Sequence, residues 1–92
     1  MYIVDSTKAY RKAYKRISRH KNFDSQILEE IIEMLARGER LSQKYEDHQL
    51  SGEFQEYREC HVKNNILLMY QRHGSILLLL LVNLGTHDDL FH

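Results

Sequence analysis

The stretch that most constrains this chain is Ile76–Val82, ILLLLLV, seven apolar residues with no polar interruption. A run this short cannot cross a bilayer, which takes roughly 20 residues as a helix. Without alternation it reads as a central strand covered on both faces. The rest of the chain must therefore supply two covering layers and flanking strands. Composition permits this: 42% hydrophobic and 28% charged residues over 92 positions, no proline and four glycines favour regular elements with short connections. One domain, residues 1–92, is expected, with no repeat.

The strands around the run can be placed by period. Tyr57–Val62 and Ile66–Arg72 precede it, and the run itself extends as Ser75–Asn83. Asn64-Asn65 (or Lys63-Asn64) and His73-Gly74 are turn residues that tolerate positive φ. Short connections imply an antiparallel meander. Tyr2-Ile3-Val4 reads as a further strand. Between them the period is helical. Ala9, Tyr10, Ala13, Tyr14 and Ile17 recur at three- and four-residue spacing behind a Ser6 or Thr7 cap. Ile27, Leu28, Ile31, Ile32 and Leu35 recur behind an Asp24 cap, and Gly38 closes the second helix. Leu41–Phe54 shows neither period and reads as a loop packed by Leu41, Tyr45, Leu50 and Phe54. The expected fold is α+β, a two-helix hairpin on one face of a four-stranded antiparallel sheet.

Net charge is zero but unevenly spread. Residues 1–22 hold seven lysines or arginines against Asp5 alone, whereas residues 23–92 hold six against twelve acids. The first helix is a candidate footprint for a polyanion such as RNA, or a solvated face complementary to the acidic remainder. No apolar leader is visible, and the single cysteine, Cys60, excludes an internal disulfide and suits a reducing cytosol.

The candidate chemistry lies in YEDHQLSGEFQEYRECH (Tyr45–His61) and GTHDDLF (Gly85–Phe91). These segments hold His48, His61 and His87, with Glu59 two residues before His61. On a strand, Glu59 and His61 share one face, and Cys60 faces the other. Cys60 and His61 thus cannot share a metal, and a cysteine nucleophile is disfavoured. No glycine-rich phosphate loop or zinc spacing is present. What remains is general acid–base chemistry, for which imidazole (pKa near ~6.5 when unperturbed) suits either role. Phe91 offers a flat surface on which an unstacked base can rest, or simply packs the tail.

In order and spacing, D-H-x-L-x-G (Asp47–Gly52), Y-R-E-C-H (Tyr57–His61) and G-T-H-x-x-L-F (Gly85–Phe91) resemble the YafQ-like branch of the RelE/ParE superfamily of type II toxins. The resemblance covers nearly the whole chain. It implies a cytoplasmic, ribosome-dependent mRNA endoribonuclease that cuts in the A site by 2′-hydroxyl attack, with no cofactor and no metal. It assigns acid–base work to His48, His61 and His87, with Glu59 beside them and Phe91 against the substrate. It also implies a ribbon-helix-helix antitoxin of the DinJ or RelB kind, with operator DNA reached only through that antitoxin and no membrane partner. Two departures stand out. Asn65 occupies the position of a usual aspartate, and Asn83-Leu84 that of a usual arginine. The missing cation must then come from Arg58, Lys63 or Arg72, or activity falls while antitoxin binding survives. A gyrase-directed toxin on the same scaffold has no need of three histidines.

Overall fold

The computed structural model describes residues 1–91, in the order β1 (Ile3–Ser6), α1 (Lys8–Ile17), α2 (Ser25–Ala36), β2 (His48–Gln49), β3 (Arg58–Lys63), β4 (Ile66–His73), β5 (Leu78–Gly85) and α3 (His87–Phe91). The strands form one sheet, ordered β1-β5-β4-β3-β2. β5 is central as expected, but β1 runs parallel to it, Ile3 opposite Leu78 and Ser6 opposite Leu81. The sheet is therefore mixed and five-stranded rather than antiparallel and four-stranded. The helical hairpin between β1 and the meander returns the chain to the opposite edge, and that crossover is what makes a parallel neighbour possible.

Both caps act as their residue types dictate. Thr7 Oγ1 accepts from Tyr10 N at 3.0 Å and donates to the Val82 carbonyl at 2.6 Å, stitching the start of α1 to the central strand. Asp24 Oδ1 accepts from Gln26 N and Ile27 N at 3.1 and 3.2 Å. Gly38, at φ +81°, ends α2 with its N–H on the Leu35 carbonyl and Glu39 N on Met34.

Two apolar clusters lie on the two faces of the sheet. On the helix side Tyr10, Ala13 and Ile17 of α1 and Leu28, Ile31 and Leu35 of α2 pack against Cys60, Val62, Leu68, Tyr70, Leu79, Leu81 and Leu84. On the other face Leu67, Met69 and Leu90 are covered by Leu50, Phe54, Tyr57, Val82 and Phe91. The segment Leu41–Phe54 serves both, because it wraps the β3 edge: Leu41 and Tyr45 join the helix side, Leu50 and Phe54 the other. It is not wholly irregular. Two 3₁₀ turns, Gln43–Tyr45 and Gly52–Phe54, flank β2.

The apolar run Ile76–Val82 is less buried than expected. Ile76 and Leu77 belong to the β4–β5 turn, Leu77 at φ +50°, and are 66% and 47% exposed. β5 starts only at Leu78, the residue paired with Ile3 of β1. No helix among the described residues is long and apolar enough to cross a membrane.

Candidate active site

β3 sorts its residues by parity. Cys60 and Val62 are buried against the helices, whereas Glu59 and His61 face the other way. Burial pushes the Cys60 thiol up, so it remains a neutral packing group.

His48 stands directly opposite Glu59 in the β2–β3 ladder. Its Nδ1 lies 2.7 Å from the Glu46 carbonyl oxygen, which can only accept, so Nδ1 carries the proton. In the neutral ring Nε2 is then the lone pair, and it lies 3.5 Å from Glu59 Oε1. Glu59 is 5% exposed, and its second oxygen, Oε2, has no hydrogen-bond partner among the described residues. That orphaned oxygen leaves Glu59 with unmet hydrogen-bonding capacity beside the His48 ring. His61 Nδ1 lies 3.5 Å from Glu46 Oε2, so the left-handed Glu46 (φ +48°) serves both rings, one through its carbonyl and one through its side chain.

His87 comes from the far side of the sheet. Thr86 and Asp89 form a reciprocal capping box for α3: Thr86 N donates to Asp89 Oδ2 at 2.9 Å, and Asp89 N to Thr86 Oγ1 at 3.2 Å. The backbone N–H of Thr86, then its hydroxyl and Arg16, hold the Asp89 carboxyl below its ordinary range. This box fits only because position 85 is glycine. A Cβ there would lie 2.7 Å from Asp89 Oδ2 and 2.8 Å from Asp89 Cβ. The His87 ring rests on Phe91, 4.8 Å between centroids, and Phe91 meets Phe54 edge-on at 5.0 Å. Phe91 is thus a half-buried wedge that supports His87.

An open cleft of about 440 Å³ is lined by Glu59, His61, Asn65, Leu67, Thr86, His87 and Asp88. It gathers four of the residues singled out from sequence: Glu59, His61, Asn65 and His87. His48 adjoins it through Glu59, and Phe91 supports it from behind. Arg58, Lys63 and Arg72 are not brought to the cleft. Arg58 Nη2 binds Asp47 Oδ2 at 3.2 Å on the helix side, and Lys63 Nζ lies 3.7 Å from Asp24 Oδ2. Arg72 Nη1 donates to the Leu35 and Glu39 carbonyls. Among the described residues, no lysine or arginine lines the cleft. Sequence reasoning passed over Glu46 and Asp47; their adjacency to His48 was the signal that could have found them.

The family model for the bacterial toxin YafQ of type II toxin–antitoxin systems matches residues 2–92. A putative toxin YafQ of Haemophilus influenzae is 45% identical over 31 residues, a segment spanning 34% of this chain and only 30% of that protein. A metal-bound toxin from Helicobacter pylori superposes with TM-score 0.89 at 36% identity, covering 99% of this chain and all of the other. A copper-bound mutant toxin from the same organism gives 0.90 at 32%, with the same coverage. YafQ in the E. coli DinJ–YafQ complex gives 0.87 at 25% over the full length of both. Among the described residues, no group of three or more His, Cys, Asp or Glu side chains is placed to hold a metal ion. The family-model match and the shared fold show that the chain belongs to the YafQ family, the toxins of bacterial type II toxin–antitoxin systems.

Proposed function

We propose that this toxin is a ribosome-dependent endoribonuclease that cuts mRNA in the A site by acid–base catalysis, acting in the cytoplasm as one domain, residues 1–92. The observation that carries the reading is the pairing of a tautomer-fixed His48 with the buried Glu59, across a cleft that also holds His61 and His87. His48 Nε2 takes the proton of a ribose 2′-hydroxyl, and Glu59 faces the resulting imidazolium. The 2′-oxygen attacks phosphorus, the P–O5′ bond breaks, and His87 delivers a proton to the departing 5′-oxygen. The products are a 2′,3′-cyclic phosphate and a 5′-hydroxyl. With no lysine or arginine in the cleft, a protonated His61 supplies the positive charge on the phosphorane, and the Asn65 amide supplies donors. Phe91 holds His87 upright and offers its exposed part to an unstacked base.

The outer face of α1, with Lys8, Lys12 and Lys15 exposed, Arg19 exposed just past its end and no acid in the helix, suits a docking surface for ribosomal RNA. The E. coli DinJ–YafQ toxin–antitoxin complex supports an antitoxin as the regulatory partner; in this proposal it is of the ribbon-helix-helix kind and operator DNA is reached only through it.

The test is primer extension on a reporter mRNA in a reconstituted translation system. Cuts confined to the A-site codon, ending in cyclic phosphate, dependent on ribosomes and indifferent to chelator are expected. Equal cutting of naked RNA, or none, overturns the reading. The cation-free cleft favours one second reading, a catalytically weakened toxin that serves chiefly as antitoxin-binding corepressor. Tight antitoxin binding with no cleavage would select it.

A further inference from the structure

β2, the strand that delivers His48, is two residues long and lies at the sheet edge, so its own ladder bonds are too few to hold a ring in register. Directly before it, the Asp47 side chain passes to the helix side and is only 14% exposed. Its Oδ1 accepts from the Tyr70 hydroxyl at 2.6 Å, in the range of a charge-assisted bond, and its Oδ2 from Arg58 Nη2 at 3.2 Å. Arg58 reaches on to Gln49 Oε1 at 3.4 Å, so the residues on both sides of His48 are gripped. Burial, then the Asp47 contact, pushes the Tyr70 phenol well above its ordinary range, and the hydroxyl stays a donor across all working pH. Burial opposes charge on Arg58, but its bonds to Asp47 and Tyr70 outweigh it.

We infer that Asp47, Arg58 and Tyr70 are positioning residues: a clasp behind the sheet that fixes the register of β2, and with it the Nδ1–H tautomer and the Nε2 direction of His48. The clasp rests on the nuclease reading for its kinetic consequence but not for its geometric one. Tyr70 is fully buried in the middle of β4 and is held firmly by its packing. Asp47 transmits that rigidity through 2.6 Å to the segment that carries the base. The ring itself touches neither Tyr70 nor Arg58, so their effect on chemistry passes wholly through His48.

Tyr70→Phe removes one oxygen and keeps the packing volume, so it is the variant to measure, with Asp47→Asn as its companion. In the folded toxin, long-range ¹H–¹⁵N spectra of the imidazoles should show His48 as the Nδ1–H tautomer. In Tyr70→Phe that signature should give way to a mixture, while His61 and His87 keep theirs. On ribosomes kcat should fall about a hundredfold with KM nearly unchanged, the loss typical of ~1 Å misplacement of a reacting group. Asp47→Asn, which keeps an oxygen for Tyr70, should fall less than Asp47→Ala. An unaltered His48 tautomer and kcat in Tyr70→Phe, with only a lower melting temperature, overturn the clasp and leave a structural bond. If the parent toxin cleaves nothing, the nuclease reading fails, and the His48 spectrum alone still decides the clasp.

Discussion

Cys60 and His61 are neighbours in sequence with opposite fates. Cys60 is fully buried between sheet and helices, its thiol raised beyond reactivity by burial. His61 is half-buried on the cleft side, its Nδ1 near a mobile-length glutamate side chain. Along β3 the side that faces the helices carries stability, and the side that faces away carries the proposed chemistry. The separation is made by nothing more than strand alternation. It teaches that in so small a molecule the sheet acts as a partition, and that substitutions on its two sides should fail in different ways.

The sharpest test of that partition is on the cleft side. Alanine at His48, His61 or His87 should lower ribosome-dependent cleavage by about 10²–10⁴-fold. Unfolding free energy, read by urea titration, should move by no more than about 0.5 kcal/mol. A loss of several kcal/mol from His61→Ala would break the comparison. The converse lies directly across the ladder, where Leu68, fully buried, faces Cys60. Leu68→Ala should cost about 2–5 kcal/mol, while the fraction still folded cleaves at the parental rate. Gly85→Ala straddles the partition, since its Cβ would strike Asp89. It should cost about 1–3 kcal/mol and also impair cleavage, because the displaced element is the one that carries His87.

Smaller effects follow from titration. The Asp89 carboxyl is held below its ordinary range by the Thr86 N–H. Its contribution is present above the unfolded value near pH ~4 and lost as pH falls through the lower folded value. Circular dichroism and the His87 resonances should therefore show α3 loosening first in acid, and Asp89→Asn should blunt that dependence. On the other side Tyr10, raised to about 12 by burial and then by Tyr14, stays neutral in the fold. The stability it protects is present below pH ~10 and is lost as pH rises toward 12. Tyrosinate absorbance of the native protein should lag that of the unfolded chain across this window.

Much of this was legible beforehand. Periodicity located α1 and α2; Ser6 or Thr7 marked the start of the first, and Asp24 and Gly38 both ends of the second, because capping is chemistry between near neighbours. Parity on β3 separated Glu59 and His61 from Cys60 for the same local reason. What escaped depended on distant partners. Nothing in Ile3–Ser6 discloses a parallel pairing with Leu78–Leu81. Ile76 and Leu77 are as apolar as any strand residue, yet they turn in the open. Arg58, Lys63 and Arg72 seemed free to serve a phosphate until Asp47, Asp24 and the end of α2 claimed them. Motif order could bring the histidines to notice, but not the carbonyl of Glu46 that fixes one tautomer.

The parallel pairing of β1 with β5 has a consequence for synthesis. Ile3–Ser6 are translated well before their strand partner among the described residues, Leu78–Leu81, which is made some seventy residues later, and α3 with His87 follows after that. Vectorial folding can thus accumulate helices and hairpin but cannot close the sheet or complete the cleft until its last-made elements have left the exit tunnel. Until then His87 cannot stand beside Glu59 and His61, and the cleft has no second wall.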